Sequence, residues 1–295
     1  MSGREKTIGL LKATFSVAVW GASFIATKIA LRDVSPATVV WLRFATGIFV
    51  LGFFVIARKE FFLQPPKVLG YFALLGFIGI TFHQWLQSNG LLTAQASTSA
   101  WIVSTTPIFI AVLGWFFLKE YLRWDQIAGI VAAGGGVLLV VSKGDLNSIF
   151  NGAFGTPGDL LILISSPNWA VFSVLSRKGL KEHTASKMMF YVMTMGWGFT
   201  SLLFFSDPRF NEIGHLTLSG WAAVGFLGIF CSGLAYIYWY DAMKVIPASQ
   251  VGALLYIEPL FAVVVAAAII GENITLGALL GGAIILFGVW MVTRK

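Results

Sequence analysis

Ten apolar stretches, each long enough to cross a bilayer, make up most of this chain and leave only short segments between them. They run over residues 8–31, 36–57, 68–90, 93–118, 122–142, 158–176, 186–206, 215–241, 247–270 and 274–293. A helix needs about 20 residues to span the hydrocarbon core, so ten crossings use roughly two-thirds of the sequence. With 57% hydrophobic and 11% charged residues, the chain has too few charges to cover a soluble domain of 295 residues. The expected fold is therefore all-α and integral to the membrane, with ten transmembrane helices and no separate soluble domain. The first stretch lacks a small-residue cleavage site and reads as a span, not a signal peptide. The single cysteine, Cys231, excludes an internal disulfide.

The formal charge of +7 is explained by orientation. With the N-terminus inside, fifteen Lys and Arg fall at the inner ends: Arg4, Lys6, Lys12, Arg58, Lys59, Lys67, Lys119, Arg123, Arg177, Lys178, Lys181, Lys187, Lys244, Arg294 and Lys295. Only Lys28, Arg32, Lys143 and Arg209 fall outside. This is a positive-inside pattern with both termini cytoplasmic. It removes the need for a nucleic-acid or other polyanionic partner.

Each half holds an odd number of spans, so a repeat would enter the membrane from opposite sides. The expected division is a first five-helix repeat over 1–143, an outer connection over 144–157 and a second, inverted repeat over 158–295. A shift of 152 aligns Ala96-Ser97 with Ala248-Ser249, Pro107 with Pro259, Glu120 with Glu272, Gly129 with Gly281 and Gly136 with Gly288. A shift of 149 relates span 1 to span 6 through Ser16/Ser165 and Trp20/Trp169. Spans 2 and 7 align less well, through Gly47/Gly198 and Leu51/Leu202. Inverted repeats place a substrate site near the bilayer midplane, with the halves rocking around it.

These features resemble the ten-helix exporters of the drug/metabolite transporter superfamily, the EamA-type family. The resemblance rests on Trp20-Gly21, Leu42-Arg43-Phe44, Pro107 with Glu120 thirteen residues later, and Glu258-Pro259-Leu260-Phe261 with Glu272 at the same spacing. It covers essentially the whole chain. It implies a bacterial inner-membrane (plasma membrane) protein that exports small metabolites without a cofactor. Pro167-Asn168 before Trp169 departs from the family's plainer small-residue pattern and puts the local helix geometry in question.

Several polar residues sit within the spans. Ser16, Trp20, Ser23 and Thr27 share one stripe of span 1; Ser165, Asn168, Trp169, Ser173 and Ser176 repeat it in span 6. Such stripes either line a wet cavity or act as interhelical hydrogen-bonding glue. Span 3 carries His83, Gln84, Gln87 and Ser88; span 8 offers Tyr236, Tyr240 and Asp241 at matching depth. His83 is either a satisfied polar group or a functional one, since ionisable residues within spans are functional candidates by default. Pro107 and Pro259 should kink or break spans 4 and 9, freeing carbonyls and acting as hinges, or else forming static kinks. Trp101, Ser104 and Tyr256 stand beside them. Glu258 is a candidate for proton coupling, or a structural partner of Arg43 or His83. Arg43 itself is expected in a structural or gating ion pair. Glu120 and Glu272 are expected to cap the helices that follow them. The small residues of spans 5 and 10 should brace the halves or form a homodimer contact. The Gly134-Gly135-Gly136 run is packing, because no strand or Lys-Ser/Thr accompanies it as in a phosphate loop.

The sequence thus points to a secondary transporter exporting small organic metabolites, such as amino acids or related amphipathic compounds, by alternating access. Its expected partners are a small-molecule substrate, the lipid bilayer and a proton. Trp20, Ser23, His83, Gln87, Trp101, Ser104, Asn168, Trp169, Tyr236, Tyr240 and Tyr256 form the expected substrate site. Arg43, Pro107, Glu258 and Pro259 are the expected coupling or gating residues. A channel or passive receptor is the alternative. An intramembrane enzyme is disfavoured, since no catalytic or metal-binding motif is present.

Overall fold

A computed structural model describes residues 3–118, 121, 123–145, 147–148, 151, 155–206, 210–246, 251 and 254–293. Lys119, Glu120, Arg209, Ala248, Ser249, Arg294 and Lys295 lie outside the described residues, as does the start of the ninth apolar stretch. The helices are α1 (Gly3–Ala30), α2 (Pro36–Ala57), α3 (Pro66–Gly90), α4 in two pieces (Ala96–Val103 and Thr106–Leu118), α5 (Trp124–Val141), α6 (Pro157–Glu182), α7 (Ala185–Ser206), α8 (Leu218–Val245), α9 (Leu254–Ile270) and α10 (Leu276–Thr293). No strand occurs among the described residues. Nine helical stretches among them are long and apolar enough to cross a membrane, and α9 is a shorter apolar helix. Large apolar side chains cover the outside: Phe49 is 80% exposed and Val131 70%. In water such a surface would aggregate, whereas in lipid it is the contact face.

The helix boundaries repeat. A shift of 149 carries both ends of α2 onto both ends of α7. A shift of 152 carries Pro66 onto Leu218, Thr106–Leu118 onto Glu258–Ile270, and Trp124–Val141 onto Leu276–Thr293. The packing of α2 and α7 corrects the alignment expected from sequence. A Cβ on Gly47 would meet Ser232 Cβ at 2.7 Å, and one on Gly196 would meet Ile80 Cβ at 2.5 Å. Ile80 and Ser232 are 152 apart and Gly47 and Gly196 are 149 apart, whereas a Cβ on Gly198 would meet open space.

The tightest seam joins α5 to α10 within the one chain. A Cβ on Gly129 would come within 2.6 Å of the Gly288 carbonyl, and one on Gly136 within 2.7 Å of the Gly281 carbonyl. Any side chain there would force the backbones apart, which is why four glycines hold these positions. The shift of 152 converts the first contact into the second, so the seam maps onto itself.

Two local features depart from expectation. Glu272 does not cap the helix that follows it. Its carboxylate accepts from the Ala96 and Ser97 N–H groups at 2.8 and 2.9 Å, capping the first turn of α4. Thr275, directly before α10, caps that helix by accepting from Ala278 N–H at 3.1 Å. The segment between Gly271, in the left-handed conformation at φ 63°, and Thr275 is long enough for Glu272 to reach across to α4. In α6, Pro167 sits inside a continuous helix and does not break it.

Candidate functional site

The interior of the bundle is built around two π-helical segments, Phe77–Phe82 in α3 and Phe226–Leu234 in α8. A π-segment widens the helix and leaves carbonyls poorly paired within it. Side chains from neighbouring helices take up some of these acceptors. Trp20 Nε1 donates to the Cys231 carbonyl at 3.1 Å, and Asn168 Nδ2 donates to the Ile78 carbonyl at 2.9 Å. Ser16 Oγ donates to the Ala235 carbonyl at 2.8 Å. Part of the polar stripes on α1 and α6 is therefore interhelical glue. The sequence carries a sign of these segments in Gly76-Phe77-Ile78-Gly79-Ile80 and Gly225-Phe226-Leu227-Gly228-Ile229, which the sequence reading passed over.

Around the π-segments stands an aromatic wall. His83 lies 4.7 Å from the Trp169 ring, and Trp169 lies 4.7 Å from Phe172. Trp20 meets Tyr236 edge-on at 5.5 Å and Trp239 at 5.2 Å. Trp169, Tyr236 and Tyr240 all pack on one core cluster formed largely by α2, α3 and α7. His83, Trp169, Tyr236, Tyr240 and Trp20 are thus brought together as expected. Trp101 is not part of this wall: it is buried against Gly282 of α10, with its indole N–H sealed and without a partner. Tyr256 packs on the same α10-side cluster, and its hydroxyl bonds Thr293. Ser23 and Gln87 are partly buried, and no side-chain hydrogen bond to either occurs among the described residues.

Arg43 is almost fully buried, donating from Nε to Ser232 Oγ at 2.9 Å and from Nη1 to Gln84 Oε1 at 3.0 Å. Its expected ion pair is not formed: no carboxylate among the described residues bridges to it. Glu258 stands at the start of the α-helical part of α9, where its carbonyl packs against α1. A Cβ on Gly21 would lie 2.6 Å from the Glu258 oxygen, so the Trp20-Gly21 pair needs glycine for this approach. The Glu258 carboxyl acts electrostatically on Tyr236 and Cys231, as does Arg43, yet it pairs with neither Arg43 nor His83 among the described residues.

Both expected proline breaks occur. α4 loses its α-helical turn at Ser104–Thr105, and α9 begins as a 3-10 turn over Leu254–Ile257 before Glu258 and Pro259. The carbonyls freed in α4 are not open to a ligand, because hydroxyls occupy them: Ser104 Oγ on Trp101, Thr105 Oγ1 on Ile102 and Thr106 Oγ1 on Val103, at 2.7, 2.6 and 2.7 Å.

Several polar ends in this interior make no hydrogen bond within the described residues. They are Arg43 Nη2, Gln84 Nε2, Trp169 Nε1, the Tyr236 and Tyr240 hydroxyls, and the Glu258 carboxyl. They gather on α2, α3, α6, α8 and α9, where a small molecule held among them would meet both donors and acceptors. A separate cavity of about 320 Å³ lies elsewhere, between the α3–α4 turn, the end of α5 and the start of α6, lined by Thr93, Gln95, Asp145 and Asp159 among others. No expected substrate residue lines it.

At the opposite end of α8, Asp241 gathers three cations. Lys12 Nζ and Arg58 Nη2 each lie 3.1 Å from its carboxylate, and Lys244 Nζ lies 3.5 Å away. This ties α1, α2 and α8 together. The Asp241 carboxylate, noted in sequence at the depth of Tyr236 and Tyr240, is thus engaged by cations within the protein.

The model of the EamA-like transporter family matches residues 7–142 and 156–294. The chain belongs to the EamA-like transporter family. Relatives of this family are similar along nearly their whole length. An uncharacterized transporter of Archaeoglobus fulgidus is 27% identical, covering 99% of this chain and 98% of the relative. An uncharacterized transporter of Bacillus subtilis is 28% identical over 91% and 88%. A probable terminal-alkyne amino-acid exporter of Streptantibioticus cattleyicolor is 26% identical over 95% and 91%. A crystal structure 21% identical in sequence superposes with a TM-score of 0.69 over 99% of this chain and 97% of the other, a likeness of fold. The protein is a multi-pass membrane protein of a transporter family.

Proposed function

We propose that this chain is a secondary transporter that exports small organic metabolites, amino acids or related amphipathic compounds among them, by alternating access. Its ten spans form two inverted five-helix repeats in a bacterial plasma membrane, with both termini cytoplasmic. The observation that carries this reading is the set of unbonded polar ends in the apolar interior, shared between α2, α3, α6, α8 and α9. A purely structural core would have paired them.

Three further points support it. The repeated helix boundaries and the self-mapping α5–α10 seam are what a two-fold exchange of halves requires. Capping of α4 by Glu272 closes one end of the bundle, while the Asp241 cluster closes the other. Such ties at both ends are what a carrier must break in turn to expose its site to each side. The exporter name of one relative favours amino acids.

In this mechanism Trp169, Tyr236 and Tyr240 supply apolar and cation–π surface. Glu258, unpaired beside them, carries the coupling proton. The test is counterflow in proteoliposomes preloaded with unlabelled amino acids or other metabolites and given trace labelled compound, with and without a pH gradient. Saturable accumulation is expected, and its response to the gradient should vanish in Glu258→Gln. A gradient response that survives in the variant removes Glu258 from coupling. Ion currents far above carrier rates would replace the carrier with a channel.

A further inference from the structure

Arg43 carries a buried charge with no anion paired to it among the described residues. It lies about two turns into α2 and is only 7% exposed. Its two side-chain acceptors, Ser232 Oγ on α8 and Gln84 Oε1 on α3, are both neutral. The nearby acids are otherwise placed. Asp241 is held by Lys12, Arg58 and Lys244, Glu272 by two N–H groups of α4, and Glu258 makes no ion pair with Arg43 among the described residues. A guanidinium has five N–H donors, and a buried one without an anion is strongly disfavoured.

The geometry is nevertheless firm. The guanidinium lies 5.3 Å from the Phe44 ring. Its backbone is held too, since a Cβ on Gly228 of α8 would come within 3.0 Å of the Arg43 carbonyl. Ser232 fixes the Nε side and Gln84 fixes Nη1, while Nη2 makes no hydrogen bond among the described residues. The Gln84 amide beside it has its Nε2 donor free as well. A rigid guanidinium with Nη2 unbonded beside an amide donor can give a carboxylate two hydrogen bonds, one from each. The Glu258 carboxyl acts electrostatically on Tyr236 and Cys231, as Arg43 does.

We propose that Arg43, presented by Ser232 and Gln84, is the subsite for the substrate's carboxylate, and that the substrate class is zwitterionic, its ammonium end lying toward Glu258. The proposal rests on the transporter reading above and narrows it. An ion pair within the protein would make Arg43 a strut. A substrate that supplies the missing anion makes it a specificity determinant, because a ligand lacking the carboxylate leaves the cation bare.

The test uses the full chain in proteoliposomes and in detergent. Labelled L-phenylalanine, L-leucine and L-threonine serve as counterflow probes. Unlabelled L-phenylalanine, phenethylamine (no carboxylate) and 3-phenylpropionate (no ammonium) serve as competitors. In the wild type the zwitterion should compete at least tenfold better than either single-charge analogue. Arg43→Gln should lose the preference for L-phenylalanine over phenethylamine, and Arg43→Lys should retain only part of it. Unfolding curves in detergent identify a variant that fails to fold, and the wild-type competition series decides the matter without any variant.

Equal competition by phenethylamine and L-phenylalanine in the wild type overturns the proposal. So does an unchanged preference in folded Arg43→Gln. Saturable flux of a sugar or nucleoside that zwitterions do not inhibit overturns the proposal and leaves the transporter reading standing. Absence of saturable flux for every class overturns both.

Discussion

α4 and α9 both stop being α-helical just ahead of a proline, α4 at Ser104–Thr105 and α9 across Leu254–Ile257. In α4 the break is closed at once, because three successive hydroxyls turn back onto the carbonyls of Trp101, Ile102 and Val103. The corresponding residues in α9 are Tyr256, Ile257 and Glu258. Tyr256 sends its hydroxyl to Thr293, Ile257 has none, and the Glu258 carboxyl accepts no hydrogen bond among the described residues. One backbone device therefore serves two ends. In α4 it is a static bend whose polarity is neutralised locally, as Ser and Thr commonly do in membrane helices. In α9 no side-chain hydroxyl folds back on the 3-10 turn among the described residues.

This difference can be broken or sharpened by mutation. The largest effect is expected at Pro259. Replacing it with Ala restores an N–H and removes the clash with the Leu255 carbonyl, allowing α9 to heal. Counterflow should fall about tenfold, as for loss of a gating hinge, while Pro107→Ala stays within about threefold of wild type. Equal losses at both prolines would erase the distinction. The next effect lies in stability. Thr105→Val with Thr106→Val leaves the Ile102 and Val103 carbonyls without their hydroxyls and should destabilise the fold by about 1–3 kcal/mol. The readout is unfolding in detergent, and transport by the surviving folded protein should be nearly normal. The smallest effect is a gain. Ile257→Thr gives α9 the hydroxyl that α4 has at the corresponding place. It should stabilise by up to ~1 kcal/mol and slow counterflow by about twofold. Faster counterflow would show that this turn is not part of the moving element.

The helices were legible in the sequence because lipid imposes one simple demand, a run of about 20 apolar residues. Both proline breaks were legible for the same kind of reason, since proline acts on its own helix. What the sequence hid was every partner chosen across helices. Glu272 stands just before α10 but serves α4, because spatial proximity decides which free N–H groups a carboxylate meets. Asp241 looked like one more polar residue beside Tyr240, yet Lys12 and Arg58 come to it from α1 and α2. Gln84 was noticed with His83, but its bond to Arg43 spans 41 positions. Trp101 shows the opposite error. A tryptophan beside a proline break in an inner span suggested a cavity wall, whereas Gly282 opens a slot in α10 that the ring fills. Glycine spacing announced that slot only once the facing helix was known.

The α5–α10 seam carries one more consequence. Because Gly129 faces Gly288 and Gly136 faces Gly281, exchanging the roles of the two halves leaves the seam unchanged. A pair of probes fixed across it should read one constant separation through the whole transport cycle. The molecule thus contains its own ruler, against which every other distance that changes can be calibrated.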